Sequence, residues 1–176
     1  MKYIAKITFI TLCSMIFFIA CSSEGSDQAE QVDKERAPDF EVTTVSGETI
    51  SLESAMAKDK PLVVYFTASW CPVCAKNWPV FSEIYPEYED KLTFVAIGID
   101  PTDDTEVMRN LADEHGFTFP ITKGHPEIML DFGVETQATT VGINRDGYIE
   151  FQKNKTALTA DEYRELFDSL VMNESM

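Results

Sequence analysis

The sequence predicts an α/β domain, a mixed-sheet sandwich with helices on both faces of the sheet, and three observations carry that prediction. "LVVYFT" at residues 62–67 and "LTFVAIGI" at residues 92–99 are near-continuous apolar runs rich in β-branched side chains, the pattern of strands covered on both faces. Between them Trp78, Phe81, Tyr85 and Tyr88 recur at helical spacing, so strand, helix and strand form a right-handed crossover. Near the end, "TTVGI", "RDG" and "YIEFQK" make a hairpin with Asp146 and Gly147 in its turn. Buried strands alternating with helices and closing on a hairpin give the sandwich.

In chain order, the first segment reads as a leader. Lys2 and Lys6 precede an apolar run over residues 7–20, which gives way abruptly to small polar residues, as in a secretory signal. The run is shorter than the roughly 20 apolar residues that a spanning helix needs. Residues 1–20 are therefore expected to be removed. Residues 21–36, "CSSEGSDQAEQVDKER", hold almost no large apolar side chain and read as a flexible tether. The folded domain is expected over residues 37–176, opening with an extended segment that carries Phe40, Val42 and Val45. Gly47 supplies a turn, and a short helix is expected over residues 51–57. The helix after Cys71 contains Pro79, which lacks a backbone donor, crowds the preceding turn and should kink it. "TEVMRNLADEHG" reads as a second helix ended by Gly116, "FTFPIT" as a short strand, and "EIMLDFGV" as a further turn or two ended at Gly133. A C-terminal helix is expected over residues 159–171, with Thr159 or Asp161 near its start.

With 176 residues, 44% hydrophobic and 25% charged, the chain has the composition of one globular domain. Its net charge of -16 disfavours nucleic-acid phosphates, which need clustered Lys and Arg, and anionic lipid headgroups. The acidity reads as a solvated surface.

Of the four cysteines, Cys13 falls inside the leader. "FIAC", residues 18–21, resembles the bacterial lipobox, in which a small residue precedes a cysteine that is lipidated and becomes the first residue of the mature protein. Phe18 stands where that box usually has Leu. Cys21 is thus expected to carry lipid and hold the domain to a bacterial membrane, extracytoplasmic and in the cell envelope. Cys71 and Cys74 are left with only each other.

A closed zinc site wants four ligands; the pair supplies two, and the only histidines, His115 and His125, lie ten residues apart. A structural disulfide usually closes a longer loop, because its stabilisation grows with loop length. Redox exchange fits better. A cysteine at a helix N-terminus faces unsatisfied N–H groups and the positive end of the dipole, which favour the thiolate. Cys71 would attack a substrate disulfide, and Cys74, one turn deeper, would resolve the mixed disulfide. Pro72 lacks a donor and tunes how many N–H groups reach the sulfur. Trp70 can shield the exposed sulfur and offer a flat apolar surface to a partner.

"APDF", "FTASWCPVCAKNWP", "HGFTFPI", "FGV" and "INRDGYI", in this order and spacing, resemble the thioredoxin fold, and specifically the membrane-tethered TlpA/ResA-like thiol-disulfide oxidoreductases of the redoxin superfamily. The resemblance covers residues 37–170. It implies a thioredoxin-like three-layer sandwich with a helix and strand inserted around residues 105–121. It also implies a reductase or disulfide-exchange role outside the membrane, with protein disulfides or dithiols as substrates and no cofactor. That role often lies in cytochrome c maturation, where apocytochrome thiols are reduced before haem attaches. The Cys-Pro-x-Cys form resembles reductases recharged by an integral membrane electron donor of the CcdA/DsbD type. The expected substrate-binding residues are Trp70, Pro72 and Val73 beside the sulfurs, with Gln137 and Ala138 facing them.

The chain departs from the family in places. A cis-proline of the family corresponds to Ala138, and a cis peptide before Ala costs about 2.5–4 kcal/mol, so a rearranged loop is expected. Asn77 stands where related reductases place a buried glutamate, leaving no carboxylate there to take the Cys74 proton. Gly142 replaces a large apolar residue, either altering the pocket floor or only the packing. Two other readings use the same sulfurs: a metal-binding or copper-delivery protein with Cys71 and Cys74 as soft ligands, and a thiol peroxidase. The activating threonine of the peroxidases is missing, since Ala68 and Cys71 stand three residues before the two sulfurs.

Overall fold

In the computed structural model, which describes residues 34–172, a hairpin comes first: β1 (Glu41–Thr43) pairs antiparallel with β2 (Thr49–Ser51) around Gly47 at φ 94. The residues read as a leader, Cys21 expected to carry lipid, and the expected tether as far as residue 33 lie outside the described residues. Ser51 then caps α1 (Leu52–Ala57): its hydroxyl accepts the Ser54 N–H, and the Ser54 hydroxyl accepts the Ser51 N–H in return.

β3 (Leu62–Thr67), α2 (Cys74–Tyr88) and β4 (Thr93–Gly98) form the crossover, followed by α3 (Thr105–His115), β5 (Ile121–Gly124) and α4 (Pro126–Asp131). The hairpin β6 (Thr139–Ile143) and β7 (Ile149–Lys153) leads to α5 (Ala160–Met172). The central sheet runs β5-β4-β3-β6-β7, with β3, β4 and β5 parallel and β6 antiparallel to both of its neighbours, β3 and β7. Alternation along β3 divides the core. Val63 and Tyr65 face Phe81 and Ile84 of α2 and Tyr163 and Phe167 of α5, while Leu62, Val64 and Phe66 face Leu52 of α1 and Ile128 of α4. Two helical layers on one mixed sheet make the thioredoxin-like three-layer sandwich, and α3 with β5 is the inserted unit. Tyr65, Phe66, Phe81 and Phe167 are fully buried, each stabilising the fold by about 1.5–3 kcal/mol.

Details differ from the sequence reading for local reasons. The strand expected from "FTFPIT" starts only at Ile121, because Pro120 gives its carbonyl to Ala96 N–H but has no donor of its own. Phe117 and Phe119 stack on each other instead, with ring centroids 4.6 Å apart. The α2 helix continues through Pro79 and Pro86. Pro86 cannot bond the Ser82 carbonyl, and the Thr118 hydroxyl takes that acceptor at 2.9 Å. Residues 34–36, read as the end of the tether, are docked on the β6–β7 hairpin: Ile149 N–H donates to Glu35 O at 2.8 Å, and Lys34 pairs with Glu150 at 2.8 Å. The fold therefore includes residues before Ala37. Gly142 sits opposite Phe151 on β7, whose ring occupies the space a Cβ would need. The missing side chain is thus replaced from the neighbouring strand.

Candidate active site

The loop at residues 68–73 leaves β3 at the end of the sheet where β4 and β5 also finish, the place where α/β sheets gather their chemistry. Cys71 and Cys74 are joined there by a disulfide, with Cα atoms 5.2 Å apart. Cys74, not Cys71, is the first residue of α2, because Pro72 and Val73 complete a turn before the helix is established. The sulfur of Cys71 nevertheless meets the helix end. It accepts the Cys74 N–H at 3.0 Å, and the Cys71 carbonyl accepts Ala75 N–H at 3.0 Å. Val73 supplies no side-chain cap, so the sulfur takes the acceptor role that a capping oxygen usually fills. A thiolate formed at Cys71 is stabilised by the same N–H and by the positive helix end.

Neither cysteine presents open surface in this oxidised form: Cys71 is 1% exposed and Cys74 0%. The expectation of an exposed sulfur under Trp70 is corrected accordingly. Trp70 is instead 57% exposed itself, because its indole N–H reaches sideways to Asp100 Oδ2 at 2.7 Å. Pro72 is exposed and Val73 half-buried beside it, so Trp70, Pro72 and Val73 leave apolar surface on the loop that carries the disulfide.

Two aspartates from the loop after β4 hold this segment. Asp100 accepts from the Thr102 hydroxyl and N–H and from Trp70, and these bonds, led by the Thr102 hydroxyl, hold its carboxyl below the usual range. Asp103 is buried and grips Ser69 twice, with N–H to Oδ2 at 2.9 Å and hydroxyl to Oδ1 at 2.6 Å. Its own carbonyl accepts Gly124 N–H from β5 at 2.7 Å.

Ala138, wholly buried in the same core cluster as Cys71 and Cys74, adopts φ 57 with trans peptides, in the left-handed region that costs a side chain about 1–2 kcal/mol. Its N–H donates to Phe66 O at 2.8 Å and its carbonyl accepts Thr156 N–H at 3.2 Å. No cis peptide occurs among the described residues, in keeping with alanine at the position of the family proline. Gln137 precedes Ala138, half-buried. Asn77, fully buried on α2, ties the parts together: its amide N–H groups reach the Tyr65 hydroxyl at 3.1 Å and Thr156 O at 2.8 Å, and its oxygen accepts Leu158 N–H at 3.3 Å. Burial pushes the Tyr65 hydroxyl far above its ordinary pKa, so it stays protonated.

Asp100, Asp103, Tyr65 and Thr156 were not singled out in the sequence. The signal for the first two was "DPTDD" directly after a buried strand, where strand ends converge on the CxxC loop; for the others there was none. The histidines lie elsewhere: His115 packs on Trp78 and Phe117, and His125 pairs with Glu127 at 3.0 Å. Among the described residues no group of three or more His, Cys, Asp or Glu side chains is arranged to hold a metal ion.

Comparisons with known proteins agree with this geometry. The model of the AhpC/TSA family matches residues 34–155. The thioredoxin-like protein YneN of Bacillus subtilis is 31% identical over 150 residues, covering 85% of this chain and 87% of that one. The thiol-disulfide oxidoreductase ResA of Oceanobacillus iheyensis is 27% identical over 161 residues, covering 89% and 82%. In fold, a thiol:disulfide interchange protein of Chlorobium tepidum superposes with a TM-score of 0.68 at 23% identity, covering 78% of this chain and 97% of that one.

Proposed function

The chain belongs to the AhpC/TSA family and is a thiol-disulfide oxidoreductase, and from that premise we propose that it is a lipid-anchored, extracytoplasmic reductase of protein disulfides. One observation carries the reading: the Cys71–Cys74 disulfide stands at the N-terminal end of α2 with the Cys71 sulfur on the first helical N–H, so Cys71 is the nucleophile and Cys74 the resolving thiol.

The cycle balances on the two sulfurs alone. A donor thiolate attacks Cys71 Sγ, Cys74 leaves as a thiolate and is protonated, and a second donor thiolate attacks the donor's sulfur in the mixed disulfide, releasing the donor as a disulfide. The Cys71 thiolate, held by Cys74 N–H, then attacks a sulfur of the substrate disulfide, and the other substrate sulfur leaves. Cys74 gives up its proton to solvent and attacks Cys71 Sγ; the mixed disulfide breaks, and the two substrate thiolates take up protons from solvent and depart as a dithiol. The apolar surface of Trp70, Pro72 and Val73, with the half-buried Gln137, is where the substrate chain docks; Ala138, expected to join them, is wholly buried with its N–H and carbonyl already bonded to Phe66 and Thr156. In this reading Cys21 carries the lipid, a membrane electron donor of the CcdA/DsbD type recharges the pair, and apocytochrome c is a substrate. The support is the leader and lipobox pattern, the Cys-Pro-x-Cys form and the ResA relative.

Cys74→Ser tests the mechanism. It is expected to accumulate a covalent adduct between Cys71 and its substrate in the cell envelope, and a folded variant that forms no adduct would sink the exchange mechanism. A potential near -270 mV or lower marks a reductase, whereas one near about -120 mV makes the protein an oxidant. Cys21→Ala is expected to lose lipid labelling and leave the membrane fraction.

A further inference from the structure

Among the described residues Asp103 is the one buried side chain that carries a formal charge, 3% exposed, and both of its oxygens act only as acceptors, as an ionised carboxylate requires. No cation pairs with it; its partners are the N–H and hydroxyl of Ser69, two residues before the nucleophile. Two residues of chain place that charge within roughly 10 Å of Cys71. Reduction of the disulfide adds the Cys71 thiolate to a part of the molecule that already holds buried Asp103 and Asp100, the latter bonded to Trp70.

We propose that Asp103 is a positioning and tuning residue for Cys71: it locks the Ser69 end of the active-site loop and, by opposing the thiolate, sets the pair toward reducing power. The direction follows from the couple. Equilibration with glutathione converts the disulfide and two glutathiones into Cys71 thiolate, Cys74 thiol, one proton and glutathione disulfide. Only the reduced side carries the new anion. A fixed carboxylate nearby therefore raises the free energy of the reduced form and lowers the potential, the reverse of an oxidant whose reduced form is stabilised. A unit charge at roughly 10 Å, through an effective dielectric of about 20, changes that equilibrium about tenfold. The inference rests on dithiol-disulfide exchange at Cys71 and on nothing about the substrate.

Asp103→Asn separates charge from geometry. An amide oxygen still accepts Ser69 N–H, and the amide N–H donates to the Ser69 hydroxyl, whose own proton turns away. The variant domain, titrated against glutathione at neutral pH, is expected to be about tenfold easier to reduce, or about 30 mV higher in potential, with a lower Cys71 thiol pKa. Ser69→Ala disturbs the hook but keeps the charge, and its potential is expected not to rise. A folded Asp103→Asn with unchanged potential, or a Ser69→Ala that rises equally, overturns the assignment. Should neither variant fold, the wild-type Cys71 thiol decides: it is expected to titrate at about 7 or above, and a value near about 3.5, the low extreme for such motifs, overturns it. The wild-type potential tests the reductase reading separately, since only the difference between variants tests Asp103.

Discussion

Replacing Asn77 with alanine removes three hydrogen bonds at once, to Tyr65 Oη at 3.1 Å, Thr156 O at 2.8 Å and Leu158 N at 3.3 Å. Each such bond contributes about 1 kcal/mol net, and a buried partner left without one costs about 1–3 kcal/mol. Tyr65 is fully buried and has no route to solvent, whereas Thr156 and Leu158 are half-buried and recover part of their loss from water. The sum is about 3–4 kcal/mol, a fall in Tm of roughly 10 °C for a domain of this size. Urea unfolding of the oxidised protein measures the first quantity, and amide exchange measures the second consequence. Thr156 N–H is protected by Ala138 O at 3.2 Å, and it should exchange much faster once Asn77 no longer holds the Thr156 carbonyl. Asn77→Asp keeps the acceptor for Leu158 but sets a carboxylate against the Thr156 carbonyl, so its loss should be relieved at acidic pH. A loss below about 1 kcal/mol in Asn77→Ala, with Thr156 exchange unchanged, would refute the view of Asn77 as the tie between α2 and the Ala138 loop.

Three further outcomes are expected. Ala138→Pro destabilises by about 3 kcal/mol or more, because proline is held near φ -65 while this site has φ 57 and its N–H bonds Phe66 O; unfolding curves read it, and full stability in the variant would mean the loop has another conformation. Gly142→Val displaces the Phe151 ring and lowers stability by about 1–3 kcal/mol, with near-normal disulfide exchange, because the position packs the sheet and does not touch the sulfurs. In alkaline titration, burial raises the Tyr65 hydroxyl and pushes that of Tyr163 up to about 12. A folded-state pKa above the unfolded value gives stability that is full below the unfolded tyrosine pKa, near 10, and is lost as pH rises through the folded one. Tyrosinate absorbance should therefore include a component that appears together with unfolding, and smooth ionisation of every tyrosine in the folded protein would contradict this.

Much of the architecture was readable because it is written in short-range terms. Apolar runs at residues 62–67 and 93–98, the helical spacing of Trp78, Phe81 and Tyr88, the left-handed Gly116 after α3 and the Asn144–Gly147 turn each follow from a few neighbouring side chains. The Thr159–Glu162 pair that caps α5 is equally local. Where the sequence reading misplaced the start of an element, one or two residues competed with the pattern: Pro120 delayed β5, and the Pro72–Val73 turn delayed α2.

By itself the sequence determined the sandwich and the Cys71–Cys74 pair, since a thiol pair three residues apart before a helix can act only locally. Tertiary structure alone decided what surrounds that pair. Ser69 and Asp103 are 34 residues apart, Trp70 and Asp100 30, and Asn77 and Thr156 79, so none of these contacts leaves a periodic trace in the chain. Such contacts exist only because parallel strands bring their ends together and because each buried polar group must find a partner there.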